Sequence, residues 1–366
     1  MICLNRKKWV VSDCDKDVAA GLAENCGVDP FAAYLLCARG MTDDFEVESF
    51  LYDTDLLDPY TLPDMAEAVE RINKAIEDGE KITVFGDYDA DGVTSTALLY
   101  SYLCSKGANV DYYIPDREGE GYGMSVEAID VLKNRSTSLI ITVDNGISNN
   151  DEVKFINSFG RDIIITDHHE APDELPEAYA IINPKAMNAL DEKLTTVQIE
   201  YLTSLAGVGV AFKLAQGVLE RYDKLNFSYE ILPFVTVGTI ADIVPLIGEN
   251  RYFVTKGLEL IASGKHYGLK RMLDVAGVNL ENGLTSEQVA FTIAPRVNAS
   301  GRLDTVDAAI KLMTSENKQE VEMAIITLEN FNKDFTTIII HLIRENVKYF
   351  LDFFSFSAFV PRRRCR

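Results

Sequence analysis

Eight side chains in this sequence have the types and spacing to hold divalent cations. Asp87, Asp89 and Asp91 alternate in Val-Phe-Gly-Asp-Tyr-Asp-Ala-Asp-Gly-Val-Thr-Ser at 84–95, directly after an apolar run and before a helical pattern. Three carboxylates this close repel one another unless a cation neutralises them. Leu-Ile-Ile-Thr-Val-Asp-Asn-Gly at 139–146 sets Asp144 at the end of a second apolar run. Ile-Ile-Ile-Thr-Asp-His-His-Glu at 163–170 sets Asp167, His168 and His169 at the end of a third, in a chain with four histidines in all. Asp242, in Gly-Thr-Ile-Ala-Asp-Ile-Val-Pro-Leu at 238–246, has a wholly apolar sequence surround and is expected to be buried. A buried carboxylate needs a strong partner to stay ionised, and a metal would serve.

The first loop also fits the opening of an EF-hand, but position twelve, where that loop needs a bidentate glutamate, is Leu98. The element before it reads as a strand, so the EF-hand reading fails. A solvated acidic turn whose aspartate caps the next helix remains the alternative for each loop taken singly. Carboxylates and imidazoles without thiolates suit manganese or magnesium, or zinc, and imidazole tips the balance from magnesium toward manganese. So many carboxylates exceed the needs of one octahedral ion. They suit a pair roughly 3.5–4 Å apart, the arrangement that displaces a phosphoester oxygen in line.

The elements that must position these residues follow from the apolar pattern. Short apolar runs at 82–85, 110–114, 139–143, 163–166 and 179–182 alternate with stretches at 93–105, 124–133 and 148–158 long enough for crossover helices. Such alternation predicts an α/β fold with a doubly wound, mainly parallel sheet, followed by a mostly helical region over 205–332. In such a sheet ligands collect outside the carboxyl ends of the strands, where the aspartates fall. Ahead of it, 64–78 has helical periodicity through Met65, Val69, Ile72 and Ile76.

Composition sets the outer limits. The chain has 366 residues, 47% hydrophobic and 25% charged, enough for two or three domains without disulfides. Six scattered cysteines form no C-x-x-C, which argues against a structural zinc site and for a reducing compartment. The first residues lack the apolar stretch of a secretory signal, so a cytoplasmic location is expected. A net charge of −22 opposes nucleic-acid binding. Bound cations and basic residues gathered on one cleft wall would reverse that locally.

Taken together, Asp87-Tyr-Asp-Ala-Asp-Gly, Asp144-Asn-Gly, Asp167-His-His and Gly238-Thr-Ile-Ala-Asp resemble, in order and distance, the four motifs of the DHH phosphoesterase family. Flanking stretches resemble its RecJ branch of single-strand-specific exonucleases: Asp58-Pro-Tyr-Thr-Leu-Pro-Asp-Met, Glu120-Gly-Tyr-Gly-Met-Ser, Leu175-Pro-Glu-Ala-Tyr-Ala-Ile-Ile-Asn-Pro-Lys, Ala206-Gly-Val-Gly-Val-Ala-Phe-Lys and Pro295-Arg-Val-Asn-Ala-Ser-Gly-Arg. The resemblance covers about residues 30–335. It implies metal-dependent 5′→3′ hydrolysis of single-stranded DNA, in preference to RNA, with two Mn2+ ions or Mg2+ in their place. It implies Asp89 and Asp144, with Asp87, on one metal. Asp91, Asp144, His168 and Asp242 would hold the other, making Asp144 the bridge. His169 would lie near the reacting phosphate, grouped with Asp167 and Asp144 as catalytic. Arg302 would meet the 5′-terminal phosphate, with Arg296 and Asn298 nearby. Single-strand-binding proteins and helicases are the partners it implies.

The expected organisation is an N-terminal helix and loop segment (1–80), the catalytic α/β domain (81–250), a helical part entering a connecting helix (251–335), and an atypical tail (336–366). The family pattern stops after Leu328-Glu-Asn-Phe-Asn-Lys-Asp, where an out-of-frame reading or a short family member would account for the change. The second domain that forms the far cleft wall in the family has no counterpart in the sequence. Thr336–Val360 is long and apolar, but Arg344, Glu345, Lys348 and Asp352 lie inside it, so no membrane span is expected. Two other functions stay open: a DHH phosphoesterase for oligonucleotides, cyclic dinucleotides or polyphosphate, and a non-catalytic scaffold associated with nucleic acid.

Overall fold

The computed structural model describes residues 12–52, 56–115, 123–186, 194–218, 224–303 and 306–357, with backbone alone at 224–229 and 339–357. Three short helices, α1 (Lys16–Asn25), α2 (Pro30–Cys37) and α3 (Asp44–Leu51), come first. A 3-10 turn at Pro59–Thr61 leads to α4 (Met65–Glu77). The alternating part follows as β1 (Ile82–Phe85), α5 (Ala90–Ser105), β2 (Val110–Tyr113), α6 (Val126–Asn134), β3 (Leu139–Val143), α7 (Asn150–Ser158), β4 (Asp162–Thr166) and β5 (Ala180–Ile182). The helical part comprises α8 (Thr196–Thr203), α9 (Gly207–Val218), α10 (Lys224–Ala241), α11 (Gly248–Ala262), α12 (Tyr267–Val275), α13 (Ser286–Leu303), α14 (Asp307–Thr314) and α15 (Lys318–Ser357).

The five strands pair in the order β2-β1-β3-β4-β5, all parallel. Their limits agree with the apolar runs to within one residue. Successive side chains of a strand point to opposite faces, and both faces here are covered. Ile82, Val84, Leu139, Ile141, Val143, Ile164 and Ile182 join the large core with α4, α5, α9 and α10. Phe85, Ile140, Ile163, Ile165 and Ile181 join a second core with α6 and α7. Two buried faces explain why β1, β3 and β4 are mainly apolar rather than alternating, whereas the edge strand β2, with Asp111, is only partly buried. The chain moves outward from β1 to β2, then crosses back so that β3 pairs with β1 on its other side. This reversal opens a crevice at the carboxyl ends of β1 and β3.

Helix α5 differs from the sequence reading in where it starts. Ala90 is its first residue, because Asp89 caps it, Oδ1 accepting from the amides of Asp91 (2.9 Å) and Gly92 (3.0 Å). Asp91 therefore lies within the first helical turn, buried among α9 and α10 instead of on a loop. The capping alternative and the cluster coexist in one residue. At the other end of the chain, the backbone of α15 continues as helix through residue 336 to Ser357, and residues 358–366 lie outside the described ones. Among the described residues no helix is long and apolar enough to cross a membrane.

The N-terminal helices have a small core of their own, built on Leu22, Ala33, Leu36 and Val47. They are latched to α11 by Arg251, whose guanidinium lies 3.7 Å from the Phe50 ring centroid and donates to the Phe50 carbonyl. A buried ion pair between Lys213 of α9 and Glu249 of α11 grips the segment just before the 3-10 turn. Lys213 Nζ donates to the Leu57 carbonyl (2.8 Å), and the Leu57 amide donates to Glu249 Oε1 (2.7 Å). Burial pushes each group toward its neutral form, lowering the lysine and raising the glutamate, and each partner opposes this. Removing one partner leaves the other uncompensated. Glu249→Leu is expected to cost about 3–5 kcal/mol in denaturant unfolding, and Glu249→Leu with Lys213→Met less than the sum of the singles. Strict additivity would mean that the two charges do not stabilise one another.

Candidate metal centre

Each motif reaches the crevice by a device that its own strand provides. The parallel ladder runs one residue past each strand end: the Gly86 amide donates to Tyr113, Asp144 to Thr166 (3.0 Å) and Asp167 to Ile182 (3.2 Å). The acidic residues thus leave the sheet from fixed positions. Asp144 leaves β3 in the left-handed region, with φ 61°, a conformation aspartate adopts more readily than most residues. Thr142 Oγ1 closes the turn on the Asn145 carbonyl (2.8 Å). Asn145 Nδ2 donates to the carbonyls of Val143 (2.8 Å) and Phe85 (3.3 Å), tying the ends of β3 and β1 together.

His168 sits among three of the aspartates. Its Nε2 is 3.1 Å from Asp144 Oδ1 and 3.9 Å from Asp91 Oδ2, and its Nδ1 is 3.8 Å from Asp242 Oδ2. Three groups of ligand atoms each fall within 4.8 Å of one another: Asp87 with Asp89 and Asp144, Asp91 with His168 and Asp242, and Asp144 with His168 and His169. Asp144 and His168 each belong to two of these groups. All eight motif residues are thereby brought to one place except Asp167, which stands directly behind.

Burial and like charge dominate the electrostatics of this cluster. Burial raises the Asp144 carboxyl well above its ordinary value, and Asp89, Asp167, Asp87 and Asp242 add repulsion. Asp91 is raised in the same way, by burial first and then by Asp144. Asp144 Oδ1 is buried and accepts no hydrogen bond among the described residues, because His168 Nε2 is close but misaligned. A buried carboxylate oxygen without a hydrogen bond, 3.1 Å from a ring nitrogen, suits a cation. Asp91 is held differently, by the amino end of α9, where Gly207 N (2.7 Å) and Val208 N (3.0 Å) donate to its two oxygens. Position 207 must be glycine for this, since a Cβ there would stand 2.7 Å from Asp144 Cβ and Oδ1.

Asp242 corrects an expectation. It is half-buried rather than enclosed, and it follows the last residue of α10, with Ile243 beyond it 88% exposed at φ 60°. Burial raises its carboxyl above the ordinary value, and the carboxyl end of a helix, its negative end, also disfavours a carboxylate. A cation relieves both.

Asp167 and His169 form a second unit. Asp167 Oδ1 accepts from His169 Nδ1 (2.7 Å) and from the amides of His168 (2.7 Å) and His169 (3.1 Å), and Oδ2 from the Ile147 amide (3.0 Å). These bonds, that to the His169 ring first, overcome burial and hold the Asp167 carboxyl low. The same bond raises His169. Asp167 is buried, whereas the His169 side chain is 47% exposed at the mouth of the crevice. Asn183 Nδ2 fixes the His169 carbonyl (3.0 Å), and Lys185 on that segment pairs with Glu170 and pulls on Asp242.

The three residues expected at the substrate end separate. Arg302 is exposed, its guanidinium 5.4 Å from the Phe335 ring centroid, in a cleft of about 580 Å³ shared with Asn298, Ile243 and Phe291. Asn298 faces the first acidic loop, accepting from the Ala90 amide (2.8 Å). Arg296 turns away, paired with Glu329 of α15 (2.5 Å) and donating to the Thr292 carbonyl. The Gly207 and Val208 amides, Asn145, Asn183 and Lys185 were given no role by the sequence, though all lie in stretches singled out for their resemblance.

The profile described as "DHH family, N-terminal domain" matches residues 81–239. The single-stranded-DNA-specific exonuclease RecJ of Bacillus subtilis (strain 168) is 40% identical over 332 residues, covering 90% of this chain and 40% of the relative. Its counterpart in Escherichia coli (strain K12) is 37% identical over 316 residues, covering 83% and 53%. The chain therefore spans roughly half or less of these curated relatives. A crystal structure of exonuclease RecJ bound to manganese superposes with a TM-score of 0.69 at 33% identity, over 79% of this chain and 71% of that one. At 33% identity over 71% of that solved chain, the chain belongs to the RecJ family.

Proposed function

We propose that this chain carries the catalytic core of a 5′→3′ exonuclease for single-stranded DNA that uses two divalent cations, manganese before magnesium. The observation that carries the reading is the convergence of Asp87, Asp89, Asp91, Asp144, His168 and Asp242 around a buried carboxylate oxygen with no hydrogen bond. Asp87, Asp89 and Asp144 would hold one ion, and Asp91, His168 and Asp242 the other, with Asp144 reaching toward both. When bound, the ions supply Lewis-acid polarisation of the phosphoryl group and neutralise its developing charge.

The chain's own residues do the rest. Asp167 fixes the His169 tautomer through Nδ1, leaving Nε2 for the crevice, and keeps the ring more readily protonated than usual. His169 is thus placed to donate a proton or hydrogen bond to a phosphate oxygen or the leaving oxygen. Arg302 and Lys185 supply positive charge at the mouth of an otherwise acidic protein, Arg302 for a terminal phosphate.

The test is digestion of 5′-phosphorylated single-stranded and duplex DNA by the purified chain with Mn2+, Mg2+ or EDTA. Mononucleotides should leave from the 5′ end of the single strand only, with Mn2+ the better cofactor, at low processivity. Internal cleavage, or hydrolysis confined to dinucleotides, would overturn the assignment in favour of another phosphoesterase.

A further inference from the structure

We infer that Asn298 is a positioning residue for the acidic loop, and that α13 joins this loop to Arg302 as one rigid piece. The inference rests on the proposed metal site. The first amides of a helix have no partners inside it. In α5 the cap residue Asp89 serves the second and third, those of Asp91 and Gly92. The first, the buried Ala90 amide, is served from 208 residues away by Asn298 Oδ1 at 2.8 Å. Three residues further along α13, a Cβ on Gly301 would run into the Tyr88 carbonyl, so the helix lies flush against the loop backbone. The loop carrying Asp87, Asp89 and Asp91 is thus clasped at both Tyr88 and Ala90 by one helix.

Arg302 lies four residues beyond Asn298, one turn along on the same face, and both line the cleft that Ile243 enters just after Asp242. Arg296 pins the same helix to α15 through Glu329. A shift of α13 therefore moves the acidic loop and the Arg302 guanidinium together. Ligand order at one should favour ligand order at the other, by the same factor in both directions.

Isothermal titration with Mn2+ and melting in EDTA test this on Asn298→Leu, which keeps the bulk and loses the acceptor, and on Gly301→Ala. Each is expected to weaken Mn2+ binding about tenfold, the scale of one buried donor left unmade, with the double variant losing less than the product because both disrupt one docking. In wild type, Mn2+ should tighten binding of a 5′-phosphorylated dithymidylate, and this gain should shrink severalfold in Asn298→Leu. A lower melting temperature in EDTA with unchanged Mn2+ affinity in both variants would overturn the inference, leaving Asn298 as framework. Failure of the wild-type chain to bind Mn2+ would instead overturn the proposed function.

Discussion

Asp144→Asn is expected to abolish the manganese-dependent gain in thermal stability and to lower kcat/KM by on the order of 10³ or more, several kcal/mol of lost charge stabilisation. Asparagine keeps the volume and accepts the left-handed backbone at φ 61°, so the change isolates charge. Without metal the same variant should be more stable than wild type at pH 8, with a melting temperature higher by roughly 2–5 °C. The sign follows from linkage. Asp144, Asp91 and Asp242 all have folded values raised above the ordinary 3.8, so the metal-free folded state holds protons that the unfolded state has already released. Stability then falls as pH rises from the unfolded value through the raised folded ones. Metal-free wild type should melt higher at pH 5 than at pH 8, Asp144→Asn should flatten that slope, and Mn2+ should reverse it by binding the ionised site. At a hundredfold excess over Kd the gain is about 2.7 kcal/mol. A variant that keeps the full Mn2+ gain would remove Asp144 from any shared ligand position.

Why so much of this centre is legible in the sequence is a matter of short range. A strand buried on both faces is a mainly apolar run interrupted here only by threonine, and the next charged residue marks its carboxyl end, so β1, β3 and β4 announce Asp87, Asp144 and Asp167 directly. What escapes is set by partners far along the chain. Asp89 caps α5, which pulls the helix start back to Ala90 and puts Asp91 against the α9 amides 116 residues later. Arg296 and Asn298 read alike as members of one motif, yet a glutamate 33 residues on claims the first and a backbone amide 208 residues back claims the second. The apolar neighbours of Asp242 implied enclosure, but α10 ends at Ala241, and beyond that end Ile243 turns outward, leaving the carboxylate half open. The Lys213–Glu249 clamp is half visible: Lys213 is a lone charge in the apolar run 205–215, but nothing local points to Glu249, 36 residues on, as its partner.

His169→Ala should lower kcat by roughly 10³, within the range typical of a positioned acid or base, while changing Mn2+ affinity by no more than about twofold. The prediction separates two placements that the geometry keeps close. A ring nitrogen of His169 lies within 4.8 Å of ligand atoms of Asp144 and His168, so His169 has the reach to serve the cation, and equal losses in kcat and Mn2+ affinity would put it there. Its bond to Asp167 engages Nδ1 at 2.7 Å, leaves Nε2 for a cation or a phosphate oxygen, and raises the ring above 6.5; the 47% exposure of the side chain at the mouth of the crevice argues for the phosphate. If His169 acts as the acid, activity should fall as pH climbs through that raised value. Asp167→Asn should move the fall to lower pH, since the carboxylate that favours the imidazolium is gone. The pair also contributes to stability with the opposite dependence at its two ends. The His169 share is complete below about 6.5 and lost as pH rises through the folded value. The Asp167 share is present above 3.8 and lost as pH falls through its lowered one. A pH–rate profile in Asp167→Asn that overlays wild type on the alkaline side, at any level of residual activity, would show that the proton lost there belongs to some other group and that His169 is not the acid.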